Sequence, residues 1–450
     1  MKLRLKELYK LFNAAHKGHD AGISGITADS RLVKKGNVFV ALIADSDGHK
    51  YAASAIKAGA VAAIVEKEIP GVDKEKIIMV RNTKDALLKM AGYYFKKFRK
   101  LRVVAVTGSN GKTTTKEILG AVLSAKYKVH KSEKSFNNYL GLPLTVFGLK
   151  DGHEMLVLEI GMNHLGEIKK LVSAVKLDAA VITNVGRAHI GNFEGKEAGI
   201  ANAKAEIMLG VKKGGTVILN REDKFYGFLR KKASAMKLKV LSFGTGTGAS
   251  TRIEDYKAVE NGSEFRISGL KEKMKLGLKG IHNVYNASAA ITAARNFGIS
   301  GLKIKKALSK FKMEGFMRFE EIKYGNGVTV INDCYNANPD SFAASIGTLK
   351  KAGHKDLVVL MGEMLEMGKL SPKLHAEVGS MFRGLKIKKF FIYGENAANV
   401  KRGYGLDAQG YTDRKKLKAD VKAYIRPGDT VFVKGSRGNK LEEVIDGLKG

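Results

Sequence analysis

The sequence predicts an α/β protein of three units: a small N-terminal α/β unit, a central parallel-sheet unit of P-loop ATPase type and a C-terminal Rossmann-like α/β unit. Short apolar runs rich in β-branched residues alternate with helical stretches along most of the 450 residues. A glycine turn followed by lysine and three threonines joins a strand to a helix at 103–115. The chain is also too long for one ordinary domain. Changes in pattern near the basic run Lys96, Lys97, Arg99 and Lys100, and again before Gly315, divide it into 1–100, 101–313 and 314–450.

In the first unit the spacing predicts a helix over 3–15 and two short strands within 22–42, joined by a turn at Lys35-Gly36-Asn37. An alanine-rich helix over 51–58, strands over 60–65 and 77–80, and an amphipathic helix over 83–98 follow. Asp29-Ser30-Arg31 reads as a polar turn. In the second unit the strand from Val103 leads through the glycine turn to a helix over 116–125. Strands over 155–160, 179–185 and 215–220 continue the sheet, and 255–278 alternates like a small antiparallel segment. Helices over 195–209, 283–297 and 302–311 complete this part. The loop 244–250 lacks the strand–lysine–helix setting of a phosphate site.

The third unit places strands at 319–323, 328–332, 357–361, 390–393 and 430–434. Helices over 340–352, 371–383 and 414–424, and a last one from Leu441, alternate with them. No G-x-G-x-x-G stands at its first turn.

The stretch 103–115, VVAVTGSNGKTTT, carries the chemistry. Gly108, Ser109, Asn110 and Gly111 let backbone amides converge on an anion, the helix start adds partial positive charge, and Lys112 reaches terminal phosphates. Thr113 supplies a hydroxyl for the Mg²⁺ that accompanies ATP. Only two residues separate the glycines, fewer than the general P-loop pattern has. Ligands of open α/β sheets bind beyond the carboxyl ends of the strands. Glu159 and His189 stand at such ends and join the loop in a candidate magnesium environment. Lys204 lies on the helix 195–209, where a lysine is ordinarily a solvated surface group.

A net charge of +35 raises nucleic-acid binding as an alternative. The lysines are dispersed, however, and aromatic residues make up 8% with no Trp, so there is little surface for stacking bases. No nucleic-acid partner is expected. A single cysteine, Cys334, excludes an internal disulfide and fits a reducing cytoplasm. The N-terminus is neither a signal peptide nor a membrane span, and no later run is long enough to be one. The expected protein is cytoplasmic, not inserted in a membrane, and monomeric.

Several motifs, in order, resemble the Mur ligases, the ATP-dependent amide-bond ligases of cell-wall precursor synthesis. They are TGSNGKTTT (107–115), KSFNNYLGLPLTVF (134–147), LEIGMNHLGEI (158–168), NVGRAHIGNFEG (184–195), HNVYNASAA (282–290) and INDCYNANPDS (331–341). LMGEMLEMG (360–368) and VKGSRGNKLEEV (433–444) extend the likeness over almost the whole chain. The short glycine spacing is a feature of that family. The resemblance is greatest to the branch that adds D-alanyl-D-alanine to UDP-N-acetylmuramoyl-tripeptide. It implies ATP as co-substrate, an acyl-phosphate intermediate and two Mg²⁺ ions.

Residue by residue, it implies that Thr107, Gly108, Ser109, Asn110, Gly111, Lys112, Thr113 and Thr114 cradle ATP. Thr113 and Glu159 would hold magnesium, with His189 on a second ion. Lys204 falls where the family has a carbamylated lysine. Lys112, His189 and Lys204 are therefore the implied catalytic set. Asn283, Arg318 and Asp333 match adenine and ribose contacts. Ser30, Arg31, Asn137 and Asn138 match contacts to the UDP-sugar, and Tyr335, Asn336 and Asn338 lie in the segment tied to substrate. The first unit becomes a UDP-binding unit, to which Asp47-Gly48-His49 also belongs.

Met317-Arg318 replaces the usual Gly-Arg, and Gly362-Glu363-Met364 the usual Gly-Asp-Met. The Asp-Asn-Pro-Arg of relatives that add a diamino acid is absent. A related ligase with another acceptor, of diamino-acid or pseudomurein type, and a nucleic-acid-dependent ATPase remain the competing readings.

Overall fold

Three sheets, each carrying its own part of the chain, form the framework of the computed structural model, which describes residues 1–14, 20–44, 46–353 and 357–449. The N-terminal sheet holds four parallel strands in sequential order: Gly25–Thr27, Asn37–Val40, Ala62–Val65 and Ile77–Met79. The turn at Gly36 has the positive φ its glycine permits (85°). It closes a longer crossover, so the first two strands are parallel rather than a hairpin. The first helix runs Leu5–Phe12, shorter than its apolar spacing suggests; Ala15, the end of the predicted helix, lies outside the described residues. His49 is buried here: Nε2 accepts the Glu66 amide (2.8 Å) and Nδ1 donates to Asp47 (2.6 Å). The Asp-Gly-His segment is thus a brace inside this unit.

The central sheet has nine strands. Its parallel part orders Lys239–Gly244, Val211–Asn220, Leu177–Ile182, Arg102–Thr107, Met155–Glu159 and Val129–Lys131 side by side. Thr251–Val259, Gly262–Ile267 and Met274–Leu276 extend it, paired antiparallel with one another. The unbroken apolar run at Val103 has a simple cause. Alternate residues feed two cores: Val104 and Val106 pack with the helices Lys112–Leu123 and Ile281–Asn296, while Val103 and Ala105 pack on the opposite face. Leu158 belongs to that second core and is fully buried.

The C-terminal sheet runs Glu320–Lys323, Thr329–Asp333, Thr430–Lys434, Leu357–Met361, Ile387–Tyr393 and Gln409–Tyr411, parallel except at its first strand. Sequence spacing missed the helix Ala397–Tyr404 and the edge strand Gln409–Tyr411, both short and rich in glycine or polar residues. It also placed the helix after the glycine turn at 116, whereas the helix begins at Lys112. Three consecutive β-branched threonines are weak helix formers, yet the left-handed Gly111 (φ 80°) starts the helix ahead of them.

Leu158→Ala leaves a void between the central sheet and its second core. The expected loss is about 2–5 kcal/mol, read as a lower urea midpoint in the far-ultraviolet circular dichroism of the purified chain.

Candidate active site

The glycine loop lies where the first central strand gives way to its helix, and both glycines are forced by close approach. Gly108 (φ 152°) passes so near Thr183 that a β-carbon would collide with its Oγ1. A β-carbon on Gly111 would strike Asn286 Oδ1. Residues at the neighbouring strand end hold the loop from behind. Asn184 accepts from the Ser109 amide (3.0 Å) and, through Oδ1, from the Asn110 amide (2.9 Å). Thr183 Oγ1 donates to the Asn110 carbonyl (2.6 Å). The helix makes its first turn bond from Thr115 N to Gly111 O (2.9 Å), and no side chain caps it. Its opening amides therefore face the cavity, the geometry of an anion site.

Lys112 folds back over this loop, donating to the carbonyls of Gly108 (2.8 Å) and Ser109 (3.3 Å). Its ammonium is pushed down to about 8, chiefly by burial and further by Arg318, against the opposing charge of Glu159.

A cavity of ≈ 730 Å³ opens in front, walled by the central unit on one side and the C-terminal unit on the other. Lys112, Thr113, Thr114 and Asn283 line the first wall; Arg318 and Asp333 line the second. Asn283 Nδ2 donates to the Lys279 carbonyl (2.8 Å), and its Oδ1 accepts from Asn286 (3.2 Å). Arg318 lies over the ring of Tyr335, 4.2 Å from its centroid, so the guanidinium is held despite the Met317 that precedes it. Asp333 Oδ2 accepts from Ser345 Oγ and from the buried Lys434 Nζ, both at 2.6 Å. Removing either partner of that pair would strand a buried charge, at about 3–5 kcal/mol. Lys434 also donates to the Asn336 carbonyl (3.3 Å), so this strand-end lysine orders the 333–336 turn. Burial pushes His282, beside Asp333 and Lys434, down to about 4, so it is a neutral imidazole at pH 7.

Behind the loop, Glu159 is buried at the end of its strand. Oε1 accepts from Asn137 Nδ2 (2.9 Å), while Oε2 has no hydrogen-bond partner. A buried carboxylate oxygen left open in this way suits a cation. The nearest positive group is Lys116 Nζ at 3.8 Å. Thr113 Oγ1 lies 3.2 Å from Ser135 Oγ. Among the described residues no three His, Cys, Asp or Glu converge into a metal-binding group. A magnesium ion here would take its remaining ligands from phosphate oxygens and water, as that ion ordinarily does.

Lys204 is not the solvated lysine its helix suggests. It is 2% exposed on Glu197–Ala205. Burial first, and then the Lys112 charge, hold its amine well below the ordinary lysine range, against the pull of Asp223. The neighbouring Glu206 is structural, accepting from the amides of Gly166 (2.7 Å) and Lys169 (3.0 Å).

The C-terminal unit reaches the loop directly. Asn338 caps the helix Pro339–Ala352 and exchanges side-chain hydrogen bonds with Asn110 (2.8 and 3.3 Å). Arg187 binds Asp340 through Nε (3.0 Å) and its own amide (2.7 Å), and binds Glu377 through Nη1 (2.8 Å). His189, in left-handed backbone (φ 61°), gives Nδ1 to Glu366, and the Gly191 amide donates to the Glu366 carbonyl (3.0 Å). His189 is thus held in a contact between units, with Nε2 as its remaining ring nitrogen. Sequence reasoning missed Arg187, Lys116 and Lys434; one signal for Lys116 was its place one turn after Lys112.

Residues expected on the UDP-sugar side are more scattered. Asn137 serves Glu159, whereas Asn138 Oδ1 accepts from the Leu140 (3.1 Å) and Gly141 (3.0 Å) amides and starts the helix Gly141–Phe147. Ser30 begins a short 3-10 turn capped by Asp29, whose carboxylate also takes the exposed Arg31 guanidinium at 2.9 and 2.7 Å. The polar turn is therefore real, and neither Ser30 nor Arg31 lines the large cavity.

Comparison with known proteins gives these placements a context. The Mur ligase middle domain matches residues 106–294, and the Mur ligase glutamate ligase domain matches 317–437. The chain belongs to the Mur ligase family. It is 37% identical to the UDP-N-acetylmuramoyl-tripeptide–D-alanyl-D-alanine ligase of Bacillus subtilis, over 95% of this chain and 93% of that one. The Escherichia coli ligase of the same name is 30% identical over 99% and 98%. MurF from Acinetobacter baumannii superposes with a TM-score of 0.89, at 29% identity, covering 99% and 98%. MurF of Thermotoga maritima, solved in complex with ADP, gives 0.82 at 29% identity, covering 94% and 96%. This Mur ligase is accordingly an ATP-dependent enzyme. No helix among its described residues is long and apolar enough to cross a membrane.

Because phosphate favours the ammonium form of Lys112, nucleotide binding should take up protons where the free protein has lost them. Titration calorimetry in buffers of different ionisation enthalpy should show almost no uptake at pH 7 and, above about 8, uptake rising toward one proton with falling affinity. Arg187→Ala removes the ionic contacts to Asp340 and Glu377, and small-angle scattering of the nucleotide-free protein should show a larger radius of gyration.

Proposed function

We propose that this Mur ligase joins D-alanyl-D-alanine to UDP-N-acetylmuramoyl-tripeptide with conversion of ATP to ADP and phosphate. The observation that carries the reading is the cavity shared by the glycine loop and the Asp333–Asn336 turn, in a chain that aligns with the Bacillus subtilis ligase of that activity over nearly its full length. In this reading residues 1–100 take the UDP-substrate, 101–313 ATP and 314–450 closure, a division that the grouping of strands into three sheets supports.

A carboxylate is a poor electrophile, so its oxygen first displaces ADP from the γ-phosphate and forms an acyl phosphate. The free amine of the dipeptide then attacks the acyl carbon, phosphate leaves, and the amine's proton passes to solvent or to phosphate. In this reading Gly108 to Thr114 cradle the phosphates, and Lys112 turns from its own loop carbonyls to the β- and γ-oxygens, offsetting the charge that repels one anion from another. Asn283 and the pair Arg318–Asp333 hold adenine and ribose. Tyr335, Asn336 and Asn338 lie on the acceptor side, while Ser30 and Arg31, with Asn137 and Asn138 nearer the metal, serve the UDP-sugar.

Glu159 Oε2 and the Thr113 hydroxyl would hold magnesium, and His189 Nε2 would hold a second ion. Bound magnesium supplies charge neutralisation at the transferring phosphoryl group. Lys204 suits carbamylation: an amine that burial pushes toward its neutral form attacks CO₂ and loses one proton, and the resulting anion lies in the field of Lys112. The contacts of Asn338 and Arg187 close the cavity against water, to which an acyl phosphate is vulnerable.

The test of substrate class is an acceptor screen by phosphate release, in which D-alanyl-D-alanine should outpace diamino acids with the UDP-muramoyl-tripeptide donor. Release that is equal for both, or stimulated by nucleic acid instead, would reject the reading. Lys204→Ala should lower the rate on the order of 100-fold or more, and added short carboxylic acids should restore part of it in the same assay.

A further inference from the structure

Lys116 is a lysine with no exposed surface, one helical turn beyond Lys112. Its ammonium donates to the Ser132 carbonyl (2.8 Å) and the Lys134 carbonyl and forms an ion pair with Glu117 Oε1 (2.8 Å). Glu159 Oε2 stands 3.8 Å away, beyond hydrogen-bond reach, and has no hydrogen-bond partner. Lys131 pairs with the other oxygen of Glu117, so charges alternate in sign from Lys131 through Glu117 and Lys116 to Glu159. The two carbonyls belong to the segment between the strand Val129–Lys131 and the helix Gly141–Phe147. That segment also supplies Ser132 Oγ to the Glu159 amide (3.2 Å), Ser135 to Thr113 and Asn137 to Glu159 Oε1. Lys134 is held with φ at 42°, a backbone strain that persists only where surrounding contacts enforce it.

We propose that Lys116 is a positioning residue for the magnesium–nucleotide site. It ties the 132–137 segment to the phosphate-loop helix and faces Glu159 with a countercharge while leaving its Oε2, which it does not hydrogen-bond, to the metal. The proposal rests on the reading of Glu159 and Thr113 as magnesium ligands. Its particular content is that the segment is already pinned before metal or nucleotide arrives.

Removing Lys116 alone has two opposed effects on Mg²⁺, since the segment is released while a positive charge is lost. The charge-balanced pair Lys116→Met with Glu117→Gln, measured beside Glu117→Gln alone, isolates the first. ADP binding is measured by calorimetry with and without Mg²⁺, alongside thermal melting. Glu117→Gln should keep the tightening that Mg²⁺ confers on ADP in the wild type. The double variant should lose about tenfold or more of it while binding Mg²⁺-free ADP as before. A folded double variant with the full Mg²⁺ effect overturns the proposal. Hydrogen exchange of the wild type tests it independently of any variant's folding: the Phe136 amide, bonded to the Glu133 carbonyl, and the Glu159 amide, bonded to Ser132 Oγ, should be protected in the free protein, and free exchange there that slows only with Mg²⁺ and ADP overturns it. A wild type whose ADP affinity ignores Mg²⁺ would instead reject the metal assignment on which the proposal stands.

Discussion

Steric closeness at two glycines governs this molecule. The chain leaves its central strand at Gly108 against Thr183 and enters the helix at Gly111 against Asn286, with no room for a β-carbon at either point. Because the backbone passes so near its neighbours, the loop is held from behind by Thr183 and Asn184. The amides that open the following helix are thereby left to the cavity. Anion binding here is a consequence of backbone geometry, and Lys112 adds a mobile charge to a frame already set.

Charge burial is the second constraint. Lys112, Lys434 and Asp333 line the cavity, while Lys116, Lys204 and Glu159 are buried away from its lining. In each case the environment differs and so does the consequence. Lys434 is neutralised by a direct carboxylate contact, Lys116 by carbonyls and Glu117, whereas Lys204 is held toward the neutral amine. Such groups would be costly in an ordinary core; the two that line the cavity, Lys112 from the central unit and Lys434 from the C-terminal one, set up a positive field in it.

Closure of the site is built from contacts between units. Asn110 with Asn338, Arg187 with Asp340 and Glu377, and His189 with Glu366 each join the central unit to the C-terminal one. All three are polar, and one apolar cluster also runs across the two units. His189 is the telling residue: the strand end brings it to the edge, and the opposing unit fixes its ring.

The glycine loop, the strand-end position of Glu159 and the three-part α/β plan were legible in the sequence, because β-branched runs, glycine punctuation and a Lys-Thr pair are local signals with local causes. Short edge elements such as Gln409–Tyr411 were not, since their stability comes from pairing with a neighbour. Nor were the inner lysines. A lysine on a helix reads the same whether water or a buried carboxylate faces it, and only packing reveals that Lys204 and Lys116 are enclosed. The sequence by itself determined which groups the chain carries to the sheet edge, through the alternation of strands and helices. The tertiary structure alone decided which of those groups lose water, which carboxylate oxygen stays open and which histidine is clasped from across the cleft. Desolvation and pairing depend on residues far apart in the chain, and no local pattern encodes them.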